Sequence, residues 1–132
     1  MEFKLKYYNF LPIGMYLTIS YLCLTSRPFP SDMDFSFLFF TQIDKLVHTG
    51  LYFLTTKATL FQFLKTGKYG NKRLRIIWGL AVPISFGLMV ELVQHFFIPG
   101  RSGDIEDFAA NVAGTLLAYF TFKVISSRLS SK

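Results

Sequence analysis

Residues 76–90 read IIWGLAVPISFGLMV and contain no charged side chain, and the apolar run continues past Glu91 to Ile98. About 20 residues of helix, at 1.5 Å each, cross the ~30 Å apolar core of a bilayer. Other stretches of similar length and character cover residues 7–25, 46–64 and 108–125. We therefore predict an all-α polytopic membrane protein, a bundle of four transmembrane helices over residues 7–25, 44–64, 76–97 and 106–125.

The composition supports this prediction. The 132 residues are 52% hydrophobic and 17% charged, whereas soluble domains carry about 25% charge. A soluble enzyme or a nucleic-acid-binding module is therefore excluded in spite of the net charge of +6, and no nucleic acid partner is expected. The single Cys23 excludes an internal disulfide framework and a Cys-based zinc cluster. The length suits one domain, over residues 1–132.

The basic residues indicate how the helices are oriented. Most Lys and Arg side chains fall on one side of the predicted membrane, at the two chain ends and in the connection 65–75. The opposite side carries Arg27, Lys45 and Arg101. Lys and Arg concentrate in short cytoplasmic loops of membrane proteins. We therefore predict a multi-pass protein of the cytoplasmic membrane with both termini in the cytoplasm.

The polar residues of the predicted helices collect at their outer ends. Residues three and four apart share one face of a helix, so each of the last three helices presents a polar stripe at a similar depth. Ionisable groups inside a bilayer are costly and face one another or a water-filled pocket. We therefore predict a shared polar cluster near the outer leaflet. Its candidate members are Asp44, Lys45, His48, Tyr52, Glu91, Gln94, Arg101, Asp104, Asp107 and Asn111.

Some of these residues also have an explanation that involves no ligand. Asp44 and Asp104 match acidic helix caps, because each stands at the start of a predicted helix. Lys45 and His95 match side chains that extend to the membrane interface. Glu91 is harder to explain in this way, because it lies about 10 Å inside the apolar end of its helix.

Small residues and a proline favour structural roles. Gly87 and Gly114 are predicted to be helix-packing contacts. Pro83 is predicted to bend the third helix. Cys23 is predicted to fill an apolar site inside the bundle.

The order and spacing of these polar residues resemble the signature of the VanZ-like membrane proteins. The matching pieces are Asp44-Lys45-x-x-His48, Tyr52, Glu91-x-x-Gln94, Pro99-Gly100-Arg101 and Asp107-x3-Asn111-x2-Gly114. The chain departs from that signature at Thr49, Asp104 and Ala118. The resemblance implies a small helical membrane bundle of the bacterial cytoplasmic membrane. It also implies a relation to accessory proteins linked to resistance to the glycopeptide teicoplanin.

The first functional hypothesis is recognition of an anionic lipid headgroup at the outer leaflet, without catalysis. Arg101 and Lys45 would hold a phosphate, since a guanidinium can grip two oxygens at once. Neutral hydrogen bonds would come from Asn111, Gln94 and Tyr52, while the carboxylates would orient the cations. The expected partners are membrane lipids, with a lipid-linked cell-wall precursor among them, and no cofactor is expected.

Two other hypotheses stay open. A membrane enzyme would act on a lipid-linked phosphate substrate with Glu91 or His48 as acid or base. A metal-dependent form would use His48, Glu91, His95 and Asp107, but their spacing matches no established zinc signature, so no metal is expected. In a purely structural or assembly subunit, the polar cluster would only set the helix register. The lack of a Ser, Cys or His nucleophile motif favours recognition over catalysis.

Overall fold

Helices make up most of the described chain, which comprises residues 10–25, 41–98 and 103–130 of a computed structural model. No strand occurs within these residues. In chain order the helices are α1 (Phe10–Leu24), α2 (Thr41–Lys65), α3 (Lys72–Phe97) and α4 (Ile105–Ser130). The all-helical fold with four helices is thus confirmed for the described residues.

Helix α3 changes geometry along its length. It begins as an α-helix over Lys72–Ile76, widens into a π-helical turn over Ile77–Ala81, and continues as an α-helix over Val82–Phe97. Pro83 has no N–H for the ladder, and its ring crowds the preceding turn. A π-turn is one way in which a helix accommodates such a disruption. The helix thus widens in the turn just before Pro83, while the bend at Pro83 stays a prediction.

The helix bounds differ from the predicted ones because apolar stretches do not mark where backbone hydrogen bonding stops. Helix α3 begins at Lys72 rather than at residue 76, because the side chain of Asn71 caps it by accepting a hydrogen bond from Leu74 N at 3.1 Å. Helix α2 begins at Thr41 rather than at residue 44, and α4 continues to Ser130 rather than ending at residue 125. Residues 7–9 of the first predicted span lie outside the described residues.

The bundle is organised around the α2–α4 pair, the most extensive helix contact, with α1 and α3 packed alongside. Its apolar core contains Ile19 and Cys23 of α1, Tyr52 of α2 and Val90 of α3. Cys23 is 4% exposed, as its predicted filling role requires. This arrangement leaves the interior between α2, α3 and α4 for polar side chains.

Large apolar side chains cover the outside of the bundle. Leu17, Phe97, Leu117 and Phe120 are all exposed, and an exposed apolar surface of this kind suits lipid better than water. Two helices, Lys72–Phe97 and Ile105–Ser127, are long and apolar enough to cross a membrane. Helix α1 is apolar but has 15 described residues, and α2 has 25 residues that include several polar ones.

Lys57 lies in the second half of α2 and contacts aromatic rings. Its ammonium nitrogen is 5.2 Å from the ring centre of Phe53 and 5.5 Å from that of Phe122 on α4. An ammonium over an aromatic face is attracted by the ring quadrupole. The charge inside this predicted span is therefore accommodated between α2 and α4.

Candidate functional site

A buried hydrogen-bonded chain links the three helices at one end of the bundle. Nδ1 of His48 on α2 is 2.9 Å from Oδ1 of Asn111 on α4. The Asn111 amide then donates from Nδ2 to Oε1 of Glu91 on α3, over 3.2 Å. His48, Asn111 and Glu91 are 4%, 0% and 6% exposed. The polar stripes of α2, α3 and α4 therefore meet inside the bundle at these three residues.

The hydrogen bonds that join His48, Asn111 and Glu91 determine which His48 nitrogen carries a proton. A carboxylate accepts hydrogen bonds only, so the Asn111 NH₂ faces Glu91 and its carbonyl oxygen faces His48. With Glu91 ionised, His48 Nδ1 is then the donor. In the neutral ring Nε2 keeps its lone pair, and it lies 3.7 Å from Oδ1 of Asp44.

Asp104 connects the start of α4 to Glu91. Its backbone N–H donates to Glu91 Oε2 over 3.3 Å, and its carboxylate accepts a hydrogen bond from Glu106 N over 3.0 Å. The second contact is the predicted helix cap. A Cβ on the preceding Gly103 would overlap the Glu91 backbone carbonyl, so only glycine permits this close approach. Both Glu91 carboxylate oxygens thus accept hydrogen bonds.

Lys45 pairs with the first turn of α4. Its ammonium lies 2.9 Å from Glu106 Oε2 and 3.8 Å from Asp107 Oδ1. Lys45 is half-buried, whereas Glu106 is exposed. Glu106 was not among the predicted cluster residues, although its position two residues after the Asp104 cap placed it at the same end of the bundle. Lys45 therefore takes part in the cluster rather than only extending to the interface.

Asp44, His48 and Asp107 form a compact group beside this pair. Each offers one ligand-type atom, and the three atoms lie within 4.8 Å of one another. The metal set considered from the sequence was different, since it included Glu91 and His95. The His95 side chain is exposed, with its ring against Phe96 at a centroid distance of 4.8 Å. His95 therefore does not join the three-residue group.

Gln94 and Tyr52, two residues predicted to bind the headgroup, are buried inside the bundle. Gln94 is buried and donates from Nε2 to the backbone carbonyl of Cys23 over 2.7 Å, which ties α3 to α1. Tyr52 is fully buried, and among the described residues its hydroxyl has no hydrogen-bond partner. The Gln94 contact uses a main-chain acceptor, which no side-chain pattern reveals.

The two predicted packing glycines lie at helix contacts. A Cβ on Gly114 would overlap the backbone carbonyl oxygen of Thr49, so α2 and α4 approach each other here with only a hydrogen between them. A Cβ on Gly87 would meet Asn111 and Tyr52 at 3.3 Å. Gly114 in particular allows α4 to bring Asn111 within reach of His48.

Arg101, the predicted main cation, lies outside the described residues, as do Pro99 and Gly100. Its two described flanks, Ile98 and Gly103, end α3 and precede α4 at the cluster.

The described cluster contains more acidic than basic groups. Its cationic group is Lys45, with His48 as a titratable neighbour, and its carboxylates belong to Asp44, Glu91, Asp104, Glu106 and Asp107. Oδ1 of Asp107 is buried and accepts no hydrogen bond from any described residue. The described part therefore favours a cation more than a free anion.

Exposed apolar side chains surround this polar end. The exposed fraction is 69–77% for Leu46, Phe96, Phe97 and Ile105. Asp44, Lys45 and Glu106 remain accessible between them. The end of the bundle thus presents exposed apolar side chains together with accessible polar ones.

Comparison with known proteins gives one match. A family model described as VanZ/LLP1 matches residues 5–126 of the chain. No curated protein and no solved structure matches it. The matched range includes all four helices up to residue 126 and every residue of the cluster, Arg101 among them.

Proposed function

The chain belongs to the VanZ/LLP1 family, as its sequence resemblance indicated, and we propose that it is a non-enzymatic accessory protein of the bacterial cell envelope. In this proposal all four helices cross the cytoplasmic membrane. The polar cluster faces the outer leaflet and recognises an anionic lipid headgroup. A lipid-linked cell-wall precursor is one ligand with this chemistry, and its recognition would relate the chain to glycopeptide resistance proteins.

The observation that carries this proposal is that exposed apolar and accessible polar side chains occur together at this end of the bundle. An amphiphile needs both kinds of contact, because its headgroup requires hydrogen bonds and charge while its chains require contact with apolar side chains. Exposed Phe97 and Ile105 lie at the same end of the bundle as accessible Asp44 and Lys45. A soluble ligand would not need the apolar side chains.

Arg101 and Lys45 supply the positive charge for a phosphate in this proposal. Lys45 is held by Glu106, whose side chain is 66% exposed. Exposed ion pairs contribute only about 0–1 kcal/mol, so a phosphate can replace Glu106 at little cost. Arg101 is the stronger contact, because its planar guanidinium binds two phosphate oxygens at once.

Replacing Arg101 by lysine tests this assignment. We expect Arg101→Lys to fold normally but to retain about tenfold less anionic lipid through purification in detergent. The reason is that a lost charge-assisted hydrogen bond costs about 1.5–3 kcal/mol. Native mass spectrometry of the purified protein measures the lipid retained, and thermal unfolding checks the fold.

Arg73→Lys is the matched control, because Arg73 is an exposed residue at the start of α3. It should retain as much lipid as the wild type. Equal lipid retention by the two variants would contradict the role of Arg101. A marked fall in the thermal stability of Arg101→Lys would instead indicate that Arg101 only ties the turn to α4.

The orientation of the bundle is testable with reporter fusions. The connection 65–75 is rich in Lys and Arg, and such loops lie in the cytoplasm by the positive-inside rule. The proposal therefore has this connection in the cytoplasm. Fusions after Gly67 and after Lys132 should report a cytoplasmic location, and a fusion after Ser31 an external one. An internal location at Ser31 would place the polar cluster at the inner leaflet and contradict the proposal.

A membrane enzyme acting on a lipid-linked phosphate is the second candidate, because the His48–Asn111–Glu91 chain favours it. Asn111 fixes the His48 ring so that Nε2 carries the lone pair, as a general base requires. In that case His48→Gln would abolish turnover of a lipid-linked phosphate but leave lipid retention unchanged. Under the recognition proposal no turnover occurs in either protein.

A further inference from the structure

From the geometry of Asp44, His48 and Asp107 we infer a binding site for a divalent transition-metal ion of the Zn²⁺ type. Asp44 and Asp107 lie in the first turns of α2 and α4, and His48 lies one turn further along α2. Their ligand-type atoms lie within 4.8 Å of one another. One imidazole and two carboxylates suit zinc, whereas Mg²⁺ and Ca²⁺ prefer oxygen ligands alone.

The distances require only small adjustments. Zinc lies about 2.0–2.2 Å from nitrogen and oxygen ligands, so two ligands of one ion are at most about 4.4 Å apart. His48 Nε2 and Asp44 Oδ1 are already 3.7 Å apart. The widest separation in the group, up to 4.8 Å, exceeds that limit by a few tenths of an ångström.

The hydrogen bond made by the second ring nitrogen of His48 is of the kind that metal-binding histidines make. Such histidines donate their second ring N–H to a neighbouring group, which sets the tautomer and holds the ring. His48 donates Nδ1–H to Asn111, and Asn111 is held in turn by Glu91. The ring is 96% buried, since its exposed fraction is 4%. Its Nε2 is therefore held on the side of the ring where Asp44 Oδ1 lies, at 3.7 Å.

Asp107 provides an independent indication. Its Oδ1 is buried, and no described residue donates a hydrogen bond to it. The nearest ammonium, that of Lys45, lies at 3.8 Å and is closer to Glu106. A buried carboxylate oxygen that accepts no hydrogen bond is costly, and a metal ion at this position would offset that cost.

The ion also suits the proposed ligand. It offsets the negative charges of Asp44 and Asp107 and leaves coordination positions open towards the accessible side of the cluster. A headgroup phosphate could fill such a position. This last step rests on the proposed function, whereas the ion site rests on the geometry alone.

Zinc binding to the full chain in detergent tests the site. The protein is stripped with a chelator, incubated with Zn²⁺ or Mg²⁺, desalted and examined by elemental analysis and thermal unfolding. We expect one Zn²⁺ per chain, a higher Tm with Zn²⁺, and no such effect of Mg²⁺. Absence of stoichiometric zinc, with an unchanged Tm, would overturn the inference and leave His48 as a buried partner of the carboxylates.

Matched variants locate the ion. Asp44→Asn should weaken Zn²⁺ binding by at least about tenfold, since even the loss of a group behind a ligand costs about 10–100-fold in affinity. Glu106→Gln makes the same chemical change at a neighbouring carboxylate outside the group and should bind Zn²⁺ like the wild type. Equal binding by both variants would overturn the site. Zinc binding without retained anionic lipid would leave the site intact and contradict only the proposed function.

Discussion

The Glu91→Gln protein is expected to lose about 3–5 kcal/mol of its free energy of unfolding, the range for removing one partner from a buried charged network. Glu91 accepts hydrogen bonds at both oxygens, from Asn111 Nδ2 and from Asp104 N. A glutamine amide has one oxygen, so its NH₂ group must face one of these donors. The change also removes a negative charge 3.8 Å from His48 Nδ1. Detergent denaturation followed by circular dichroism measures the loss.

Glu106→Gln is the control for this prediction. It replaces a carboxylate in the same region, but Glu106 is 66% exposed and pairs with Lys45 near the surface. Its loss should cost about 0–1 kcal/mol. Equal stabilities of the Glu91 and Glu106 variants would show that the buried chain does not stabilise the bundle.

Gly114→Ala is expected to destabilise the bundle by about 3 kcal/mol, at the upper end of the range for an overpacked interior. The added methyl group would overlap the Thr49 carbonyl oxygen. A backbone atom cannot rotate away, so α4 must move from α2. The hydrogen bond between His48 and Asn111, which spans the same pair of helices, would lengthen. Thermal unfolding in detergent measures the change.

Gly50→Ala is the control for the packing argument. Gly50 lies within α2, and a Cβ there would meet nothing within 4 Å. Since glycine is unfavourable inside a helix, alanine should stabilise the protein by about 0.5–1 kcal/mol. If Gly114→Ala were as stable as Gly50→Ala, this result would contradict the close contact between α2 and α4 at Gly114.

The sequence was sufficient to predict which helix faces converge. His48, Glu91 and Asn111 lie at matching depths in three apolar helices, and burial of polar groups in such helices requires partners. The individual pairings were not predictable in this way. Helical spacing specifies the face on which a residue lies, but the rotation of each helix about its axis decides which atoms meet.

Contacts that involve the backbone were missed for a different reason. Gln94 binds the Cys23 carbonyl, and Gly103 lies against the Glu91 carbonyl. Every residue carries a carbonyl group, so no residue type marks these acceptors in a sequence. The pairing of Lys45 with Glu106 was missed because Glu106 looks like an ordinary acidic residue in the first turn of a helix.

Photo-crosslinking to lipid most directly tests the central claim that this end of the bundle recognises an anionic headgroup. A photoreactive residue replaces Ile105, which is 77% exposed beside the cluster, or Leu117, which is 55% exposed further along α4. Each protein is placed in nanodiscs that contain anionic and zwitterionic phospholipid in equal amounts, and mass spectrometry identifies the crosslinked lipid. We predict enrichment of anionic lipid at position 105 and the bulk ratio at position 117. The bulk ratio at both positions would contradict the claim.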